Sequence, residues 1–304
     1  MGTPQFALPS LEGLLSAGEE VLAVVTQPDR PRGRGQKLSP SPVKELAQAW
    51  NLPVLEPRRL QDPELLQILA AFSPELMIVV AYGRILTPEI LALPAVGFLN
   101  VHASLLPRHR GAAPINWALI RGDKETGVTI QWVQYEVDTG PIFLQERLPI
   151  GPEDNAGTLY QKLSQRGAAL LVQALEKLRH GEAIRQPQPE TGVTLAPPIT
   201  PEMRRLNWQL MAPEVAGWIR GLDPAPGAHT FWKDRMLKLF GARVKRAEGT
   251  LAAPGTVSRL TPQGLEIACR QGSITVSEVQ LAGHKRLAVG EFLRGHPLLK
   301  QVLG

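Results

Sequence analysis

The sequence predicts an α/β protein with a Rossmann-like sheet of parallel strands, followed by a smaller antiparallel β barrel of OB-like type. Three observations lead there. Over residues 1–150, apolar β-rich runs alternate with helical patterns, as they do when crossover helices join parallel strands. A Pro- and Thr-rich stretch without periodicity then interrupts the chain. Beyond it come short alternating strands at close spacing, separated by Gly and Pro turns. At 304 residues the chain exceeds a typical single domain. The expected division is residues 1–185, a linker over 186–204, and residues 205–304.

Taken in order, PSLEGLLSAG reads as a helix and VLAVVTQ as a strand, followed by helices at PVKELAQAW and PELLQILAAF. ELMIVVAY and GFLNVHAS are strands, APINWALIRG a helix and TGVTIQWV a strand. Their nearly continuous apolar character suits strands buried on both faces. A long helix covers TLYQKLSQRGAALLVQALEKLRHG and ends at Gly181, a plausible C-terminal cap. After the linker, RLNWQLMAPEVAGWIRGL reads as one helix. The remaining strands are GAHTFW, RMLKLFGARV, GTVSRL, GLEIACRQG and SITVSEVQL.

Composition narrows the function classes. The longest apolar candidate, PELMIVVAY, falls well short of the roughly 18 residues that a membrane span needs. The N-terminus has no basic segment leading into an apolar run, so the expected location is the cytoplasm, or an organellar matrix in a eukaryote. Cys269 is the single cysteine, which excludes an internal disulfide and leaves no Cys cluster for zinc; metal-free chemistry is expected. Residues 205–304 carry 14 Lys and Arg against 7 Asp and Glu, whereas residues 1–204 carry 19 against 21. The whole surplus of positive charge therefore sits in the last third, as in a module that binds a polyanion.

Asn100, His102 and Asp138 carry the chemistry. Asn100 and His102 stand two apart in a β pattern, so both side chains project from one face. They lie near the carboxyl end of a strand, where ligands bind in open α/β sheets. Asp138 follows the next strand, beside Gly140. An amide, an imidazole and a carboxylate are the groups needed to move an acyl unit between two nitrogens. The carbonyl oxygen needs a donor, the amines need a proton shuttle, and the shuttle needs an anion. Each residue alone is as readily structural; together with the adjoining Ser104, Leu105, Leu106 and Pro107 they form a specific pattern.

The run NVHASLLPRHRGAAP, with VDTG downstream, resembles the active-site signature of formyltransferases that use 10-formyltetrahydrofolate. GTPQFALPSL, TQPDRPRGRGQKLSPSPVK, AYGRIL, GDKETGVTI and the late LNW match the same family in order, over nearly the whole chain. The resemblance implies Asn100 and protonated His102 as donors to an oxyanion, with Asp138 pairing with His102. It implies Ser104 to Pro107 as a folate-binding segment and 10-formyltetrahydrofolate as formyl donor. Arg108, His109 and Arg110 then face the folate tail, an RNA phosphate or solvent.

The loop PDRPRGRGQKLSPSPVK sets Arg30, Arg32, Arg34, Lys37 and Lys44 against a single acid, Asp29. A glycine-loosened basic loop suits an RNA end, where phosphates give affinity and unpaired bases give selectivity. The resemblance implies that Arg30, Arg32, Arg34 and Lys37 meet the acceptor end of initiator methionyl-tRNA, whose α-amino group takes the formyl unit. The alternatives are a formyltransferase for a sugar nucleotide or another small amine, a formylfolate hydrolase, and a non-catalytic RNA-binding relative. A monomer is expected, since one chain holds every part of one site.

Three departures from the family pattern stand out. GTP normally follows a short apolar first strand, absent here, so exposed neighbouring edges and a truncated or misassigned start are expected. Asn207 stands where Asp is usual, and Pro198 where Lys is usual. Both touch the linker rather than the catalytic set.

Overall fold

The structure, a computed structural model, describes residues 1–32, 37–249 and 252–304, with the backbone alone described at Arg32 and Lys37. In chain order the first elements are α1 (Leu8–Ser16), β1 (Val24–Val25), β2 (Arg30–Arg32), β3 (Lys37–Ser39), α2 (Pro42–Ala49) and β4 (Val54–Leu55). Then come α3 (Pro63–Ala71), β5 (Leu76–Val79), α4 (Pro88–Leu91), β6 (Gly97–His102), α5 (Pro114–Ile120), β7 (Glu125–Trp132), β8 (Ile142–Pro149) and α6 (Ala156–Arg179). Helix starts follow local chemistry. Ser41, Asp62 and Thr87 each accept a backbone N–H of the first turn, and each is followed by a proline whose fixed φ suits the first helical position.

The chain divides into two compact units. The first comprises Met1–Ala112, Thr126–Leu148 and Tyr160–Ala196; the second comprises Ala113–Glu125, Pro149–Leu159 and Pro197–Gly304. In the first unit β1 and β4 pair in parallel, and β5–β6–β7–β8 form a four-stranded sheet. β5 and β6 are parallel, whereas β7 runs antiparallel to β6, so the sheet is mixed rather than wholly parallel. β8 has no counterpart in the sequence reading. After the buried Ile142 and Phe143 its residues alternate partly buried and exposed and include Glu146 and Arg147, the polar pattern of a strand at a sheet edge rather than a continuous apolar run. Val25, Leu60, Leu65, Leu69, Tyr82, Ile90 and Phe98 form part of this unit's core.

Met1 and Gly2 lie between β1 and β5. Gly2 N donates to Val25 O at 3.0 Å, and Val80 N donates to Met1 O at 2.9 Å. Gly2 forms one parallel bridge with Val80, and no longer strand follows from it. A cavity of about 520 Å³ runs beside them between Val21–Val25 and Pro74–Ile78, with Leu11, Leu14 and Phe72 in its wall. The α-ammonium of Met1 donates to Ile78 O at 2.5 Å, and burial pushes its pKa down to about 5.

In the second unit the later elements are α7 (Ala212–Leu222), β9 (Ala228–Trp232), β10 (Arg235–Phe240), β11 (Arg243–Arg246), β12 (Val257–Thr261), β13 (Gly264–Ala268), β14 (Ser273–Val276), β15 (Glu278–Leu281), β16 (Leu287–Ala288) and α8 (Val289–Leu293). The strands make two four-stranded antiparallel sheets, ordered β16-β15-β10-β9 and β11-β14-β13-β12. The single helix expected from Arg205 is confined to α7, because Pro213 sets a new start and Glu214 caps the N–H of Met211. RMLKLFGARV breaks into two strands at Gly241, whose φ of 61° lies in the left-handed region. α7 packs on α5, where Asn116 Nδ2 donates to Gly221 O at 2.7 Å. Among the described residues no helix is long and apolar enough to cross a membrane.

Candidate active site

The register of β6 and β7 assembles a polar face. Asn100 stands opposite Gln131, and His102 opposite Thr129. On β7 these two polar residues alternate with Val128, Ile130 and Trp132, all buried. Period-two geometry therefore sends Asn100, His102, Thr129 and Gln131 to one side of the sheet.

Asp138 closes the constellation. Its Oδ1 accepts from Gln131 Nε2 at 2.7 Å and from Asn100 Nδ2 at 3.3 Å, and lies 3.4 Å from His102 Nδ1. Oδ2 accepts the backbone N–H of Gly111 at 2.9 Å. The loop reaches this position through a left-handed backbone at Asp138, φ 55°. Gly140 is required behind it, since a Cβ there would meet Trp132 O at 1.7 Å.

His102 is 6% exposed, and its Nε2 lies 3.0 Å from the carbonyl oxygen of His109. Both ring nitrogens thus face oxygen acceptors. The 3.4 Å contact at Nδ1 is longer than a good N–H···O bond. That edge, beside the second hydrogen of Asn100 Nδ2, is where the site can offer donors to a reacting oxygen.

Ser104 to Pro107 form a braced turn. Ser104 Oγ donates to Arg108 O at 2.6 Å, and Thr129 Oγ1 donates to Ser104 O at 2.7 Å while accepting from Leu106 N at 3.2 Å. Gln145 Nε2 donates to Leu106 O at 2.8 Å. Ser104 and Leu106 are buried; Leu105 and Pro107 are partly exposed and present the turn's apolar surface.

The basic loop forms a hairpin in which Arg30 pairs with Ser39 and Arg32 with Lys37. Arg30 is exposed and donates to Gln27 Oε1 at 2.6 Å. Arg34 lies outside the described residues, as do the side chains of Arg32 and Lys37. Lys44 is not a free cation. Its Nζ pairs with Glu56 at 2.8 Å and Asp29 at 2.9 Å, and these hydrogen bonds, Glu56 first, raise its pKa. Arg110 is likewise engaged, its Nη2 donating to Gln188 Oε1 at 2.8 Å.

Family models match both parts of the chain: "Formyl transferase" over residues 1–175 and "Formyl transferase, C-terminal domain" over residues 198–297. The chain belongs to the formyl transferase family. A methionyl-tRNA formyltransferase of Pelotomaculum thermopropionicum is 48% identical over 299 residues, covering 98% of this chain and 95% of that protein. One from Moorella thermoacetica is 46% identical, covering 100% and 98%. Among solved structures, the sugar 3N-formyl transferase WlaRD, in the presence of dTDP and 5-N-formyl-THF, gives a TM-score of 0.69 at 17% identity, covering 93% of this chain and 97% of that one. HypX from Aquifex aeolicus in complex with tetrahydrofolic acid gives 0.59 at 22% identity over 84% of this chain, which spans 44% of HypX. These two likenesses carry the fold.

Gln131, Thr129 and Gln188 were not singled out by the sequence reading. For Gln131 and Thr129 a signal exists: two polar residues at period two inside an otherwise apolar strand, next to the Asn-x-His strand. Gln188 carries no such signal, because it sits in a stretch without periodicity.

Proposed function

We propose that this chain transfers the formyl group of 10-formyltetrahydrofolate to the α-amino group of initiator methionyl-tRNA. The observation that carries the reading is the convergence of Asn100, His102 and Asp138 in a chain 48% identical, over nearly its full length, to a methionyl-tRNA formyltransferase. The donor set fits the chemistry. Folate supplies the formyl carbon and, at N10, the leaving nitrogen. The amine lone pair attacks that carbon, the bond to N10 breaks, the amine gives up a proton and N10 receives one. An α-amino group titrates near roughly 8, so a useful neutral fraction exists at neutral pH.

Asn100 Nδ2 and His102 Nδ1 donate to the oxygen as it becomes negative. Asp138 pairs with His102, directly or through water, and the proton is carried by His102 or by a water that Asp138 holds. Leu105 and Pro107 give the pterin an apolar surface, while Ser104 and Leu106 shape the turn that presents it. Arg30, Arg32, Arg34 and Lys37 meet the acceptor end of the tRNA, and the basic residues of 205–304 meet its phosphates. Residues 1–185 then act as the catalytic domain and 205–304 as an RNA-binding domain, in a monomer working in the cytoplasm; the stretch 186–204, expected as a linker, begins inside the first unit, which runs to Ala196.

The test is a formyl-transfer assay with 10-formyltetrahydrofolate and four acceptors: methionyl initiator tRNA, methionyl elongator tRNA, a dTDP-amino sugar and water. Selective formylation of the initiator supports the reading. Turnover with the amino sugar or water alone overturns the tRNA assignment and keeps the formyl chemistry.

A further inference from the structure

The segment expected to be a linker is built into the site in the first unit. Trp132 Nε1 donates to Ile184 O at 2.9 Å, and Arg185 stacks on the Trp132 ring at 3.8 Å. Gln186 bridges Ile142. Thr194 Oγ1 accepts His109 N at 2.8 Å, and Ala196 N donates to Arg110 O at 2.7 Å. Residues 184–196 therefore run as a strap past the Asp138 loop and on to the turn whose carbonyl faces His102.

Gln188 is the side chain of this strap that grips the loop. Its Nε2 donates to Asp138 O and to Gly140 O, each at 2.8 Å, and makes a longer contact of 3.5 Å with Gln131 Oε1. Its Oε1 accepts from Arg110 Nη2 at 2.8 Å and from Nε at 3.1 Å. One amide thus ties the backbone on either side of Thr139 to the residue that precedes Gly111, whose N–H holds Asp138 Oδ2. The left-handed backbone at Asp138, φ 55°, is uncommon for a non-glycine residue, and the two Gln188 contacts fall on the carbonyls that flank Thr139.

We propose that Gln188 is a positioning residue for formyl transfer, fixing Asp138 against Asn100 and His102 through its two carbonyl contacts. The inference rests on the formyl-transfer reading. It predicts that a residue outside the signature governs the rate of the chemical step and not the binding of either substrate. A misplacement of about 1 Å in such a constellation costs up to roughly 10²-fold in rate.

Two near-isosteric variants of the full chain separate the arms. Gln188→Glu keeps an acceptor for Arg110 and loses both donors; Gln188→Met loses both arms. The readouts are kcat, the KM for 10-formyltetrahydrofolate and for initiator methionyl-tRNA, and the melting temperature. The expected result is a fall in kcat of about 10-fold or more in both variants, with each KM within about 2-fold of the parent. Wild-type kcat in Gln188→Glu overturns the proposal, since the Arg110 arm would then suffice. A loss confined to KM, or one that tracks the melting temperature in both variants, overturns it as well. Wild-type protein without formyl transfer to the tRNA fails the underlying reading instead, and so stays distinguishable.

Discussion

Gln131 stands directly across the β6–β7 ladder from Asn100, and both amides donate to the same oxygen of Asp138, at 2.7 Å and 3.3 Å. The shorter bond belongs to the residue outside the signature. Gln131 is nearly fully buried, so its amide cannot be replaced there by bulk water. A hydrogen bond to a charged group contributes about 1.5–3 kcal/mol. Gln131→Leu keeps the volume, removes the donor and should lower kcat by roughly 10–100-fold with the fold retained. Steady-state kinetics beside a thermal melt check it; unchanged kcat would remove Gln131 from the support of Asp138.

His102→Ala and Asp138→Asn address the groups themselves. Losing a positioned acid or base costs roughly 10²–10⁴ in rate. Asp138→Asn also presents an amide that can offer an N–H where Gln131, Asn100 and Gly111 all donate, so the loop loses its anion and meets a donor clash. Single-turnover formylation of initiator methionyl-tRNA gives the readout. Near-normal turnover by either variant would sink the roles assigned to the pair.

The basic hairpin makes a different kind of prediction, because its charges are not equivalent. Lys44 is neutralised by Asp29 and Glu56, so the prediction falls on Arg34 and Arg30 instead. Arg34→Ala should weaken tRNA binding and reduce the slope of log affinity against log salt by about 1, leaving folate binding alone. Arg30→Ala should do the same, less the contact with Gln27. Filter binding across a salt series decides; an unaltered slope takes the hairpin out of the RNA interface.

What was legible in the sequence follows from how far each feature depends on local chemistry. The helices at PVKELAQAW and PELLQILAAF were readable, and at each start, Ser41 and Asp62, a capping side chain and the next proline act within one turn; α4 after Thr87 has the same start chemistry but only four residues, too short for a periodic pattern. Asn100 and His102 were readable as a pair on one strand face, since two residues of spacing suffice. The antiparallel course of β7 was not, because it depends on how the chain returns after the Ser104 to Pro107 turn. β8 escaped because an edge strand needs no apolar run on its exposed side. Gln188 escaped for a third reason. Its donors meet backbone carbonyls 48 and 50 residues away, and a carbonyl leaves no trace in a sequence.

The amino end of the chain yields a pH dependence with a definite sign. In a protein prepared to begin at Met1, burial lowers the pKa of its ammonium from 8.0 to about 5. Unfolding restores the ordinary value, so between about pH 5 and 8 the unfolded state binds the extra proton. Stability then rises with pH through that window, is fully present above about 8, and is lost as the pH falls toward about 5. At about 1.4 kcal/mol per pH unit, the gap amounts to about 4 kcal/mol. Adding four aliphatic residues before Met1 turns the amine into an amide. It also places apolar side chains in the 520 Å³ cavity between Val21–Val25 and Pro74–Ile78, each worth about 1.5–3 kcal/mol if fully buried. The extended protein should therefore melt higher at every pH and lose the stability gradient between pH 5 and 8. Denaturant titrations of both forms at pH 5, 6.5 and 8 test this. Parallel pH profiles would show that the amine escapes to solvent, and equal midpoints that added residues do not enter the slot.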